Sequence, residues 1–187
     1  MKINKYIFIL ITTLLTSCAA AVLVGAAGGL AVYDRRTVSM IERDARIFYI
    51  INTSIAKDPR FHGSRIVVTS YNQIVLLAGQ TPLSSVRLLA EKIAQGTANV
   101  RRVHNELTID NPIPLAQRSK DTLITAEARS KMLTKKGLES GSIRIVTENG
   151  VVYLMGIVTQ EQANLAVNVA RQIDGVNKVV KIFQYIT

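Results

Sequence analysis

Beyond residue 40 the apolar positions of this chain switch between a period near 3.6 and a period near 2, and then run through the same order again. In the second half, "DTLITAEARSKML" sets Ile124, Ala128 and Met132 four residues apart, which predicts a helix with one core stripe. "IRIVTENGVVYLMG" follows as two β-rich runs around Asn149-Gly150. That dipeptide suits a type I′ hairpin, because such a turn needs positive φ at both central positions. "QEQANLAVNVARQ" returns to helical spacing, with Leu165, Val169, Ile173, Ala166 and Ala170 on one side. Gly175 ends it, and "VNKVVKIFQYI" reads as a last strand.

The first half repeats this order. At a constant offset of 77, Asp44, Ile47, Ile51 and Ile55 pair with Asp121, Ile124, Ala128 and Met132. The same offset pairs Ile66 with Ile143, Asn72 with Asn149, and Gly79 with Gly156. After the glycine the offset falls to 76, so that Val100 matches Val176 and Val103 matches Val179. The chain therefore carries a duplicated unit of helix, strand, strand, helix, strand rather than a short-period solenoid. Asn72-Gln73 is a poorer turn than Asn149-Gly150, so a looser hairpin is expected in the first copy.

This order predicts an α+β fold in which two helices cover one face of a three-stranded sheet. Units this small bury thin cores, which favours packing of the two copies on one another. Phe48, Tyr49 and Ile50 make the first helix apolar almost all round, and they are expected to be buried between the copies, the alternative being a second membrane face. Between the copies "DNPIPLAQRSKD" carries Pro112 and Pro114, which predict a stiff, extended linker.

The N-terminus follows another pattern. Lys2 and Lys5 precede Ile7, Phe8, Ile9, Leu10, Ile11, Leu14 and Leu15, the basic and apolar regions of a secretory signal. Leu15, Thr16, Ser17 and Cys18 then resemble a bacterial lipobox. This implies that residues 1–17 are removed and Cys18 is lipidated. The alternative is an uncleaved transmembrane anchor, since the apolar run from residue 6 to residue 32 exceeds a bilayer span, and Gly25 and Gly29 match GxxxG. Ala and Gly dominate its second half, which supplies little transfer energy and suits a tether better. Ala19 after the cysteine, rather than Asp, fits the sorting pattern of lipoproteins exported to the outer membrane.

Composition narrows the function classes. One cysteine excludes an intramolecular disulfide and a multi-thiolate zinc site. The formal charge of +10 falls only to about +8 once residues 1–17 are gone, so an acidic partner is expected, either nucleic acid or an anionic membrane. Aromatics at 5%, the lack of a recognised binding motif and a periplasmic address argue against nucleic acid. His62 and His104 have no nucleophile or metal-ligand spacing around them, and Gly79 and Gly156 read as strand ends rather than a phosphate loop. Arg101-Arg102 reads as a solvated pair. No catalytic residue, cofactor or metal is expected.

The expected helix from residue 121 to residue 136 carries the binding hypothesis. Leu123, Ala126 and Leu133 fall on a second stripe, well separated from the core stripe, with Arg129 and Lys136 on its rim and Lys131 and Lys135 on the other side. Such a stripe either packs against the first unit or the linker, or lies at a membrane surface with its cations on lipid phosphates.

The αββαβ order, the strand ends "VLLAG" and "VYLMG" and the turn "DGVNKV" resemble the BON domain. The resemblance divides the chain into a signal peptide at 1–17, a lipidated cysteine and Ala/Gly-rich tether at 18–39, a BON domain at 40–110, a linker at 111–119 and a second BON domain at 120–187. Lipoproteins with two such domains imply a non-enzymatic, lipid-anchored protein on the periplasmic side of a Gram-negative outer membrane. It would bind anionic phospholipids, phosphatidylglycerol or cardiolipin, through the first helix of the second domain. It would support outer-membrane integrity at the division site. The alternative is a scaffold or chaperone-like interaction module for the outer-membrane assembly machinery, using the same stripe. One departure stands out: the large aromatic that such proteins often carry near that helix start is Leu123 here, and the chain has no Trp, so binding leans more on charge.

Overall fold

Residues that repeat in sequence fold into repeated elements in the computed structural model, which describes residues 33–187. The first copy runs α1 (Val38–Lys57), β1 (Arg65–Tyr71), β2 (Ile74–Thr81), α2 (Ser84–Gln95) and β3 (Arg102–Ile109). The second runs α3 (Leu115–Thr134), β4 (Ile143–Glu148), β5 (Val151–Val158), α4 (Gln160–Arg171) and β6 (Lys178–Tyr185). In each, the middle strand pairs antiparallel with the strand before it and parallel with the strand after it. Cys18, the signal segment and most of the tether lie outside the described residues.

Each copy has its own helix-side core. Ile47, Ile51 and Ile55 of α1 meet Val75 and Leu77 of β2 and Ala90 of α2. Ile124, Ala128 and Met132 of α3 meet Val152 and Leu154 of β5 and Ala166 of α4. These are the stripes expected from the spacing. The other faces of the two sheets form a third core: Tyr71, Ile74, Leu76 and Ala78 pack with Tyr153, Met155 and Ile182. The copies thus pack sheet against sheet, with helices outside. Phe48, Tyr49 and Ile50 are exposed, contrary to their expected burial between the copies. The signal for the real interface lies in the strands. β2 is buried along its whole length, because an apolar run with no alternation must be covered on both faces.

Polar bonds fasten this interface. The Arg65 guanidinium donates to both carboxylate oxygens of Glu148, at 2.8 and 2.9 Å, and Gln80 Nε2 donates to the same carboxylate. Asn72 Nδ2 donates to Gln184 Oε1, and the Tyr71 hydroxyl donates to the Ser142 carbonyl at 2.7 Å. All three cores lie within residues 33–187, which form one compact unit, so that span contains the packing it needs to fold alone.

Three local expectations change. The Asn72-Gln73 hairpin is as tight as its counterpart: φ is 48° and 64° there, against 51° and 72° at Asn149-Gly150. The cause is a carboxylate. Asp44 accepts the backbone N–H groups of Asn72 and Gln73, as Asp121 accepts those of Asn149 and Gly150. Gly79 and Gly156 lie inside β2 and β5 rather than at their ends. The stiff linker is shorter than expected, because α3 begins at Leu115; Pro114 precedes the first turn in an extended conformation, where its missing N–H is not needed.

Candidate functional site

The outward face of α3 follows from its period. With the core stripe turned to the sheet, residues half a turn away face solvent. Leu123 is 70% exposed and Leu133 39% exposed, and Ala126 and Arg129 are exposed beside them. Their exposure leaves this stripe open to solvent. Lys136 is exposed but lies past the end of α3, which stops at Thr134 before Gly137 turns the chain at φ +82°. It flanks the stripe from the following turn rather than from the helix.

The structure adds Leu115, 74% exposed, to this face. It lies five whole turns before Leu133 and so on the same line along the helix. Pro112 and Pro114 place it in the linker on sequence, whereas α3 starts at this residue. Together Leu115, Leu123 and Leu133 give a sparse apolar face about 27 Å long, with Leu123 about 80° round the helix from the other two, interrupted by Ser119, Thr122 and Ser130. Lys131 is tied to Glu127 at 2.7 Å, whereas Arg129 forms no ion pair among the described residues. The face therefore offers leucines and a free guanidinium, which suits a shallow contact with an anionic surface.

A denser apolar face stands on α1. Val38, Ile41, Phe48 and Tyr49 are all exposed there, with Ala45 between them. Repeat matching hides this difference, since Arg46 occupies the position of Leu123 and Tyr49 that of Ala126. Between α1 and the edge strand β1 lies an open cavity of about 300 Å³. Ile41, Ala45, Phe48, Val68, Thr69 and Ser70 line it, with Arg36, Asp44 and, from the second domain, Arg144. Burial pushes the pKa of Arg144 down, and the nearby Arg36 and Arg129 push the same way.

The residues considered for chemistry remain apart. His62 sits in the turn after a short 3₁₀ segment, and His104 lies on β3, where burial and then Arg102 lower its pKa against Glu106. Arg101 and Arg102 are both exposed. Among the described residues no group of His, Cys, Asp or Glu could hold a metal ion, and no helix is long and apolar enough to cross a membrane.

Comparisons with known proteins agree with the duplicated architecture. The chain is 38% identical over 177 residues to the outer membrane lipoprotein DolP of Haemophilus influenzae, covering 94% of this chain and 92% of that protein. It is 37% identical over 134 residues to the 21 kDa hemolysin of Actinobacillus pleuropneumoniae, covering 71% and 69%. Similarity to the osmotically-inducible protein Y of Escherichia coli is 26% identity over 139 residues, covering 73% and 69%. The BON domain model matches residues 43–111 and again residues 120–187, so the chain belongs to the BON-domain family, with two domains in tandem.

Proposed function

We propose that this chain is a lipid-anchored protein of the Gram-negative outer membrane, acylated at Cys18 and facing the periplasm, whose second BON domain contacts anionic phospholipid through the outward face of α3. The carrying observation is that Leu123 and Leu133 are exposed on a helix whose opposite stripe is fully committed to the core, with unpaired Arg129 between them. The lipobox-like Leu15-Thr16-Ser17-Cys18 supports the anchor, as does similarity to an outer membrane lipoprotein of Haemophilus influenzae. The net positive charge supports an anionic surface as the partner. Support of envelope integrity at the division site belongs to this reading as its cellular consequence.

Vesicle flotation tests the surface. Residues 33–187 are expected to bind phosphatidylglycerol or cardiolipin vesicles, and to release them as salt rises, because the charge component is screened over about 8–10 Å. Leu133→Glu removes an apolar contact and opposes the lipid charge, so binding is expected to fall at least about tenfold with the circular dichroism spectrum unchanged. Binding by that variant equal to the parent, or equal binding to neutral vesicles, overturns the proposal. Crosslinks from position 133 to a protein instead of lipid would favour the scaffold reading.

A further inference from the structure

The α1–β1 cavity draws its lining from both domains, with Arg144 of the second beside residues of the first and of the segment that leads into it. Its walls are apolar on two sides, with Ile41, Ala45 and Phe48 from α1 and Val68 from β1. The acidic group in the lining, Asp44, is fully engaged. Its carboxylate accepts from Ser70 Oγ at 2.9 Å, from the Asn72 and Gln73 N–H groups at 2.7 and 2.8 Å, and from Arg36 at 3.0 Å. Arg36 is in turn held by Asp34 and lies over the Tyr71 ring at 4.0 Å. Arg144 has no such partner: among the described residues it forms no hydrogen bond and no ion pair, and Arg36 and Arg129 stand near enough to repel it, while Asp34, itself paired with Arg36, attracts it without a direct bond. An apolar trough bordered by a guanidinium with no direct partner is complementary to an anion carrying a hydrocarbon tail.

The position of the chain entry points the same way. Tyr33 and Arg35 are tied to Ser142, two residues before Arg144, through the Ser142 hydroxyl at 3.2 Å to the Tyr33 carbonyl and at 3.2 Å from the Arg35 N–H. Arg35 also pairs with Glu139 at 2.8 Å. Fourteen residues separate Cys18 from Tyr33, a span of at most about 50 Å fully extended. On the proposed acylation at Cys18, the entry point and the cavity beside it are held within that distance of the bilayer.

We infer that this cavity at the junction of the two domains is a binding site for a single anionic phospholipid, with its phosphate on Arg144 and part of an acyl chain against Ile41, Ala45, Phe48 and Val68. The inference rests on the proposed lipid-facing role but uses a different surface from the α3 face. Tyr49 and Val38 extend the apolar wall along α1 beyond the cavity, so a lipid held here need not leave the membrane.

Short-chain dihexanoyl-phosphatidylglycerol, used below its micelle concentration, tests the site on residues 33–187 by nuclear magnetic resonance titration. The expected result is saturable one-site binding with shifts at Val68, Thr69 and Arg144. Arg144→Gln is expected to weaken it about tenfold or more. Ala45→Trp, at an exposed helix position and checked for folding by circular dichroism, is expected to fill the trough and abolish binding. Leu133→Glu is expected to leave this binding unchanged while vesicle binding falls. No saturable binding, or parent-like binding by Ala45→Trp or Arg144→Gln, overturns the inference and leaves a peptide added to the β1 edge as the better occupant. Equal affinity for glycerophosphoglycerol, which has the headgroup and no chains, also overturns it. If groove binding persists but Leu133→Glu keeps vesicle binding, the α3 assignment fails and the groove stands.

Discussion

Two aspartates, Asp44 and Asp121, hold the two halves of the repeat to one design. Each is buried on the first helix of its domain and accepts two backbone N–H groups from a hairpin turn about 28 residues away. Without the carboxylate those donors would lose their partner, at a cost of about 1–3 kcal/mol where the residue is buried, as Asn72 and Gly150 are. Asp121→Ala is therefore expected to destabilise residues 33–187 by about 2–4 kcal/mol. Asp44→Ala is expected to cost more, about 3–5 kcal/mol, because it also strands the Ser70 hydroxyl and leaves the nearly buried Arg36 guanidinium with Asp34 as its one carboxylate. Urea unfolding of both variants checks the ranking, and equal midpoints would refute it. The sequence displayed these aspartates as matched positions of the repeat but not their purpose. A bond between a helix and a turn so far along the chain leaves no local pattern, and for that reason Asn72-Gln73 looked like a weak turn.

At the scale of elements, periodicity marked the elements and their order well but could not say what covered each face. The α1 and α3 core stripes were legible because a period of 3.6 admits one inward line for each helix. The apolar face of α1 suggests an interface on sequence yet is exposed, since Phe48 and Tyr49 carry no information about their neighbours. The uninterrupted runs "IVLLAGQT" and "VVYLMGIV" did carry it: central strands without alternation need cover on both faces, and helices supply only one. The interior glycines of those strands mark where the strands come closest. A Cβ on Gly79 would sit 2.1 Å from the Arg65 carbonyl oxygen, on a backbone at φ +126°. A Cβ on Gly156 would meet the Ser142 carbonyl oxygen at 2.7 Å. Gly79→Ala is thus expected to destabilise by more than about 2 kcal/mol, combining backbone strain with a displaced β1, and to do so more than Gly156→Ala. Thermal unfolding of the pair tests this, and an unchanged midpoint for Gly79→Ala would count against the close approach.

Across the whole molecule, the sheet-to-sheet interface should announce itself in the titration of two tyrosines. Tyr71 and Tyr153 face one another's sheets in the shared core, and burial raises both hydroxyls to about 12 from the ordinary value near 10. A raised pKa means that the folded state holds these protons where the unfolded chain has released them. Their contribution to stability is therefore complete below pH 10 and is lost as pH rises from about 10 through about 12. Absorbance of tyrosinate in residues 33–187 is expected to show a late phase near pH 12, coincident with loss of the folded circular dichroism signal. Tyr71→Phe and Tyr153→Phe should each remove one chromophore from that phase. Tyr71→Phe should also destabilise at neutral pH, because the Ser142 carbonyl loses its 2.7 Å donor in the buried interface. Ser142 sits where the entering chain meets β4, so this one bond links the domain interface to the segment that leads back toward Cys18. A single titration phase complete by pH 11 would mean that the sheets open to water, and the fixed spacing between the α3 face and the Arg144 groove would go with it.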